Sequence, residues 1–241
     1  MTLLAGENGK FTADTLAKKL GDPSAASAVH HAKPAAVSIS QLTEKGTAYS
    51  LDEIRAIADV AHAHGLKLHM DGARFTNAML GLGCSPAEAT WKAGVDALSF
   101  GATKNGAFAA EAVIFFDPQA VKDFEFRRKR GGHLFSKMRF LSAQLAAYLE
   151  NDNWLRYAGT ANDAARRLTD GLTALPGVEL LHVVEGNEIF ARISGPVHQA
   201  LRSAGCQYYA FGEADDGSVG IRLVTAFNTT EADTDHFLKA A

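Results

Sequence analysis

Three residues whose side chains can take part in chemistry lie at the ends of two short apolar runs. Asp71 and Arg74 follow the run at residues 65–70, and Lys104 follows the run at residues 95–100. Both runs have the length and composition of β-strands. In open α/β sheets, ligands bind in the crevice outside the carboxyl ends of the strands. A carboxylate, a guanidinium and an amine at such an edge therefore indicate a candidate site.

Each of these three side chains suits a specific step in an enzyme reaction on an amino acid. A lysine amine forms a Schiff base with a carbonyl, and pyridoxal phosphate is held in this way. A carboxylate beside the ring nitrogen of that cofactor keeps the nitrogen protonated, so that the ring can accept electrons. A guanidinium holds a substrate carboxylate through two parallel hydrogen bonds. From residue types alone, a solvated lysine beside a surface Asp–Arg pair explains the pattern equally well.

Composition describes an ordinary globular chain. Its 241 residues are 47% hydrophobic and 21% charged, with a net charge of −3, so charge gives no reason to expect nucleic acid or an anionic membrane as a partner. No apolar run approaches the about 20 residues of a membrane span, and residues 1–5 lack the basic start of a signal peptide. The two cysteines are too few for a disulfide framework, which favours a reducing compartment and predicts a cytoplasmic protein.

The pattern along the first part of the chain predicts strands that alternate with helices. Strands are predicted at residues 2–5 and 35–40 and at the two runs above. A helix is predicted at residues 13–20, and another begins at Ser50, with Glu53 completing a capping box. The order strand, helix, strand, helix, strand predicts a parallel α/β sheet.

The rest of the chain is predicted to add helices and then a smaller domain. The further elements are a helix from Ser85 with Pro86 at its first position, a strand at 112–116, and helices at 119–130, 136–151 and 154–175. After the break at Pro176-Gly177 the order β–β–α–β–α indicates an α+β unit. We therefore predict a larger α/β domain at residues 1–153 and a smaller C-terminal α+β domain at residues 154–241.

Several motifs together resemble one known family. The chain has HMDGARF at residues 69–75 and SFGATKNG at residues 99–106. Further motifs of the same family occur in the expected order along the chain, at residues 38–47, 130–137 and 221–225. These stretches are distributed over nearly the whole chain and resemble the low-specificity L-threonine aldolases, which belong to the β-eliminating lyases. The resemblance implies an aspartate-aminotransferase-like fold (fold type I of the enzymes dependent on pyridoxal phosphate), with the site between a large, mainly parallel domain and a small one.

The resemblance also assigns roles to individual residues. Lys104 is implied to bind pyridoxal 5'-phosphate covalently, with Asp71 on the ring nitrogen. The Thr103 hydroxyl is a candidate donor to the phosphate, against a plain turn residue. Arg74 is implied to reach the cofactor or the substrate carboxylate, and Arg222 to be the second arginine for that carboxylate. A histidine near the substrate hydroxyl matches His30 as an acid or base, although the adjacent His31 leaves the choice between them open. No metal ligand is implied. Three arginines of the basic run also remain candidates for phosphate contacts, against a solvated helix end: Arg127, Arg128 and Arg130.

The expected reaction is the cleavage of the Cα–Cβ bond of L-threonine or L-allo-threonine to glycine and an aldehyde. The expected partners are this small amino-acid substrate and further copies of the chain in a homodimer or homotetramer. Other reactions with pyridoxal phosphate, such as β-elimination or transamination, stay open. So does a non-catalytic chain that binds the cofactor poorly, because the family's phosphate loop and ring-stacking histidine match no residue and would precede Met1.

Overall fold

The computed structural model describes residues 1–22 and 33–241. The first of its two four-stranded sheets consists of strands β1 (Ala36–Ser40), β2 (Lys67–Gly72), β3 (Ala97–Gly101) and β4 (Glu111–Phe115), in that order. β1, β2 and β3 are parallel, whereas β4 is antiparallel to β3. The register places Asp71 opposite Ser99, so the carboxyl ends of β2 and β3 lie together. A mainly parallel sheet is therefore confirmed.

Helices cover one face of this sheet and leave polar residues on the other. Helix α1 (Ala13–Leu20) packs on α2 (Leu51–Ala63), which has the predicted capping box of Ser50 and Glu53. Helix α3 (Phe75–Leu82) follows β2 after a short turn. The apolar side chains of the strands, such as Leu68 and Met70, are fully buried in the core beneath these helices. The alternate residues of the strands face the opposite side of the sheet.

The second sheet is antiparallel throughout. Its strands are β5 (Val178–Leu180), β6 (Glu188–Ile193), β7 (Tyr209–Glu213) and β8 (Val219–Val224), in the order β5-β6-β8-β7. Helices α7 (Gly195–Ser203) and α8 (Glu231–Ala240) complete this part of the chain. Ile189, Ile193 and Ile221 are fully buried in a second core. The observed order of elements is therefore β–β–α–β–β–α.

One long helix connects the two sheets. Helices α4 (Phe124–Arg130), α5 (Arg139–Leu149) and α6 (Asn153–Thr173) lie between β4 and β5. Helix α6 packs on α3 beside the first sheet and contributes Leu168 and Leu172 to the core of the second. The division at residues 153 and 154 stays a prediction. No helix among the residues that the structure describes has the length and apolar character to cross a membrane.

Four sequence predictions are wrong in detail. Residues 2–5 form no strand, because this exposed segment has no neighbouring strand in the described part of the chain. The segment from Ser85 folds into turns and a 3₁₀ helix (Trp91–Ala93) although Ser85 and Glu88 bond as in a capping box. The helix predicted at 119–130 is divided at Lys122, and the tail contains the additional strand β7, which was not predicted.

Candidate active site

The ends of β2 and β3 bring together the residues on which the sequence analysis began. Lys104 lies in the 3₁₀ turn Thr103–Asn105 directly after β3, and Asp71 lies at the end of the adjacent parallel strand. The two chain segments approach so closely that a Cβ atom on Gly101 would lie 2.7 Å from the Cα atom of Ala73. Glycine at this position therefore allows the turn that carries Lys104 to pack against the residues that follow Asp71.

The turn holds the backbone of Lys104 in place while its side chain remains exposed. Beside it, the buried Asn105 donates from Nδ2 to Tyr148 Oη at 2.7 Å and to the carbonyl of Trp154 at 2.9 Å. The Lys104 amine makes no hydrogen bond or ion pair with any residue in the described ranges. The site therefore presents an amine on a fixed turn, as an approaching carbonyl compound requires.

Asp71 is exposed and uses only one carboxylate oxygen. Its Oδ1 accepts the backbone N–H of Ala73 at 3.0 Å, and Oδ2 has no hydrogen-bond donor in the part of the chain that the structure describes. Behind it on the same sheet face, the His69 ring lies between two hydroxyls, 2.8 Å from Ser38 Oγ and 2.9 Å from Ser99 Oγ. Burial lowers the pKa of His69, and the nearby Asp71 charge partly opposes that effect. His69 was not predicted as part of the site.

Thr103 connects the lysine turn to the next strand. Its hydroxyl accepts the N–H of Ala110 at 3.2 Å and lies 3.4 Å from the carbonyl of the same residue. Its backbone N–H donates to Glu111 Oε1 at 3.3 Å. In this structure the Thr103 hydroxyl therefore closes the loop that contains Lys104, and it would have to exchange partners to contact a phosphate.

The two arginines meet at a buried carboxylate that the sequence analysis did not identify. Glu188, at the start of β6, is 1% exposed. Its Oε1 lies 3.0 Å from Arg74 Nη2, accepts Arg222 Nε at 3.0 Å and also accepts Arg222 Nη2. Arg74 and Arg222, predicted from separate motifs, are thus brought together, and the only available signal was a glutamate directly before the apolar run at 189–193.

Arg74 is the more deeply buried of the two arginines. It is 8% exposed, and its Nε has no hydrogen-bond acceptor among the described residues. Burial lowers its pKa; the Glu188 charge raises it again, and the charge of Arg222 lowers it further. A buried guanidinium with unused donors is unfavourable unless an anion binds it. Arg74 therefore has the properties of an anion-binding residue.

Next to Arg222 a pocket of about 220 Å³ opens to the solvent. Its walls combine charged and aromatic side chains, namely those of Glu44, Lys45, Phe190, Tyr209, Phe211 and Arg222. The Arg222 guanidinium lies 5.9 Å from the centre of the Phe190 ring. The pocket therefore offers Arg222 space on the side facing the solvent.

The remaining candidates either lie outside the described residues or are exposed or half-buried residues on other elements. His30 and His31 lie outside the described residues. Arg127, Arg128 and Arg130 are exposed in the last turn of α4, where the helix dipole favours cations. Cys84 is half-buried, and burial raises the pKa of its thiol, which gives it no reactive character.

Comparison with known proteins agrees with the geometry. The family model described as beta-eliminating lyase matches residues 1–195. The low specificity L-threonine aldolase of Pseudomonas sp. (strain NCIMB 10558) is 48% identical over 204 residues, which are 85% of this chain and 58% of that protein. The protein of the same name from Pseudomonas aeruginosa is 47% identical over 201 residues, 83% of this chain and 57% of that one.

A solved structure gives the same result at the level of the fold. The threonine aldolase of Leishmania major superimposes with a TM-score of 0.86 at 26% identity, over 97% of this chain and 67% of that chain. The predicted fold class, fold type I of the enzymes that depend on pyridoxal phosphate, is thereby confirmed. The chain spans less than two thirds of the length of the two Pseudomonas proteins.

Proposed function

This chain belongs to the beta-eliminating lyase family, whose members depend on pyridoxal phosphate, and from that premise we propose that it is a carbon–carbon lyase. The proposed substrates are L-threonine, L-allo-threonine and related β-hydroxy-α-amino acids, and the products are glycine and an aldehyde. The observation that carries the proposal is the exposed amine of Lys104, which has no partner among the described residues and lies at the same sheet edge as the Asp71 carboxylate.

The side chains at this edge fit the two reactive ends of pyridoxal phosphate. Lys104 offers an amine for its aldehyde carbon. Asp71 retains one carboxylate oxygen without a partner in the described ranges, and this oxygen suits a protonated ring nitrogen. When bound, the cofactor supplies an electron sink for the bond that breaks at Cα. For its phosphate, Thr103 offers a hydroxyl that now bonds with Ala110.

Arg74 and Arg222 are proposed to hold the substrate carboxylate. Their guanidinium groups come from opposite sheets and meet at Glu188, so a carboxylate between them would be held at two points. Holding both points fixes the rotation about the bond between the substrate nitrogen and Cα. That rotation decides which bond at Cα breaks, because the breaking bond must stand perpendicular to the plane that receives its electrons.

A base must also remove the proton of the β-hydroxyl group as the Cα–Cβ bond breaks. His30 is proposed for this role, with His31 as the alternative, because an imidazole with an ordinary pKa of about 6.5 can accept a proton at neutral pH. Separate H30N and H31N variants would decide between them, since only the variant that lacks the base should lose turnover of threonine.

The test is a product assay on the chain with added pyridoxal phosphate and L-threonine. Glycine and acetaldehyde in equal amounts are the expected products, and K104A should lose nearly all turnover while K92A, which changes another exposed lysine, should retain it. A keto acid with ammonia would instead support elimination, and a keto acid without ammonia would support transamination, which leaves the amino group on the cofactor. If K104A retained a near-normal rate, Lys104 would not be the covalent residue.

A second candidate is a chain that folds but binds the cofactor weakly. It is favoured by one observation: Thr103, the residue predicted for the phosphate, is occupied by the loop that it closes. Absorbance of added pyridoxal phosphate, followed by borohydride reduction and mass spectrometry, would separate the two candidates. An adduct on the Lys104 peptide supports the enzyme, and the absence of any adduct supports the weak binder.

We also propose a cytoplasmic homodimer or homotetramer, as the resemblance implies. Light scattering of the purified chain would test the assembly, and a monomer at micromolar concentration would contradict it. Expression in a reducing cytoplasm that gave soluble, folded protein with two free thiols would agree with the proposed compartment.

A further inference from the structure

One buried oxygen atom couples the two arginines of the proposed carboxylate site. Glu188 Oε1 is within hydrogen-bonding distance of Arg74 Nη2 and accepts from Nε and Nη2 of Arg222. Arg74 comes from the turn between β2 and α3, whereas Arg222 comes from β8 of the other sheet. The position of each guanidinium relative to the other therefore depends on this carboxylate.

Glu188 is itself held firmly. Its backbone pairs with Val224 of β8. The preceding residue, Asn187, is buried and donates from Nδ2 to the carbonyl of Thr225 at 2.8 Å. On the other side, a Cβ atom on Gly46 would lie 2.8 Å from the Glu188 carbonyl oxygen, so the loop that contains Gly46 packs closely against it. A side chain that starts from such a fixed backbone can serve as a reference point for its neighbours.

The charges of the cluster suit one carboxylate. The two guanidinium groups contribute +2 and Glu188 contributes −1; Glu44, whose charge also acts on Arg74, and Lys45 line the adjacent pocket with opposite charges, which leaves a net charge of +1. Arg74 is almost fully buried, whereas the Arg222 side chain is 31% exposed and has the aromatic pocket beside it. If the Glu188 charge were removed, the guanidinium groups would repel each other, and the more exposed Arg222 is the one that would move away.

We propose, on the basis of the proposed function, that Glu188 is a positioning residue that holds Arg74 and Arg222 together for a single carboxylate of the amino-acid ligand. The role depends on the negative charge of Glu188. Loss of that charge should separate the two arginines, so that only one guanidinium group, instead of two, contacts the ligand carboxylate.

The test compares two ligands that differ in the carboxylate alone. Binding of glycine and of glycinamide is measured by calorimetry on the chain saturated with pyridoxal phosphate. E188Q should bind glycine about tenfold more weakly or worse, the effect of losing a charge-assisted hydrogen bond, while its affinity for glycinamide stays unchanged. In threonine cleavage the same variant should raise KM with a smaller change in kcat.

Two further variants separate positioning from a general effect on the fold. E179Q makes the same substitution at an exposed position of β5, opposite Arg192 and not at Arg74 or Arg222, and should bind glycine like the unchanged chain. E188D keeps the charge but withdraws it by one methylene, so its glycine affinity should be intermediate. If E188Q fails to fold, E188D carries the test, because weaker binding of glycine and not of glycinamide is still expected.

Glycine binding that is unchanged or tighter in E188Q would overturn the proposal, as would an equal loss for both ligands. The binding measurement tests the role of Glu188 independently of whether the chain catalyses the proposed reaction. If threonine is not cleaved, the contrast between glycine and glycinamide still measures the role of Glu188. If pyridoxal phosphate itself does not bind, acetate and acetamide titrated onto the cofactor-free chain measure the same contrast at the arginine cluster.

Discussion

Asp71 acts through its charge if the proposed function is right. In D71N the amide oxygen can still accept the N–H of Ala73, so the local turn is retained, but the negative charge beside the ring nitrogen is lost. We expect D71N to keep the borohydride-trapped adduct on Lys104 and to release glycine about a hundredfold more slowly or worse, within the range for loss of one electrostatic contact that stabilises developing charge. The exposed Asp59→Asn on α2 is the control. A D71N rate within threefold of the unchanged chain would remove Asp71 from the mechanism.

His69 makes stability depend on pH with a defined sign. Burial lowers the pKa of His69 in the folded chain. In the unfolded chain the pKa of the same side chain is about 6.5, so His69 binds a proton more readily there. The stabilising contribution is therefore present above about pH 6.5 and is lost as the pH falls below it. Between pH 7.5 and 5.5, we expect H69Q to lose less unfolding free energy than the unchanged chain.

Urea denaturation at the two pH values measures this difference. H133Q, which changes an exposed histidine after α4, should keep the pH dependence of the unchanged chain. Equal pH dependence in H69Q and the unchanged chain would show that the two serine hydroxyls, rather than protonation, determine what His69 contributes.

At the residue scale, the part of the site that was predictable is the part that local sequence determines. Asp71 and Lys104 each end an apolar strand, and the rule that parallel strands end at one edge brings them together without further information. Glu188 follows no such rule, because its partner Arg74 is more than a hundred positions earlier in the chain. A buried glutamate before an apolar strand is recognised only when the two sheets are seen in contact.

At the level of elements, the start of α2 is the clearest case of local control. Ser50 Oγ accepts the N–H of Glu53 at 3.2 Å, and Glu53 Oε2 accepts the N–H of Ser50 at 2.7 Å. S50A should therefore lower the free energy of unfolding by about 1 kcal/mol, with turnover unchanged. S50T keeps a hydroxyl and is the control in the same urea experiment, and S50A and S50T of equal stability would contradict the importance of the cap.

Elements that depend on pairing with a distant strand were predicted less well than helices whose start is fixed by a local capping box. The capping box of α2 is visible in four residues, and it was confirmed. The same signal at Ser85 was misleading: the Ala89 N–H bonds to the Ser85 carbonyl, but Thr90 and Ala93 then bond to carbonyls three residues back, so the segment continues as turns and a 3₁₀ helix before β3. Strand β7 was missed because Gly212 and a register shift between Phe211 and Glu213 interrupt the alternation that marks a strand. Only pairing with β8 makes it one.

At the scale of the whole molecule, the proposed function requires the two sheets to keep a fixed relation, since each supplies one arginine. Besides the Glu188 cluster, contacts between their supporting elements serve this purpose. Glu185 Oε2 accepts the N–H of Ala48 at 2.7 Å, and Thr225 donates to the carbonyl of Ala161 on α6. The first bond joins the segment before β6 to the segment before α2, and the second joins the end of β8 to the connecting helix α6, so together they limit rotation of one sheet against the other.

A buried pair of amide side chains joins α3, which begins beside Arg74, to the connecting helix α6. Changing this pair tests whether the packing of the two helices fixes the position of Arg74. Asn77 Nδ2 donates to Asn162 Oδ1 at 3.0 Å, and Asn162 Nδ2 donates to the Asn77 carbonyl at 3.0 Å, with both residues buried. N162A leaves the Asn77 amide and carbonyl without these partners, and the unfolding free energy should fall by about 1–3 kcal/mol. D163N, at the next and exposed position, should change it by less than about 0.5 kcal/mol.

Because α3 begins beside Arg74, a loosened α3 should also weaken glycine binding in N162A. A destabilised N162A with unchanged glycine affinity would show that Glu188 alone sets the position of Arg74.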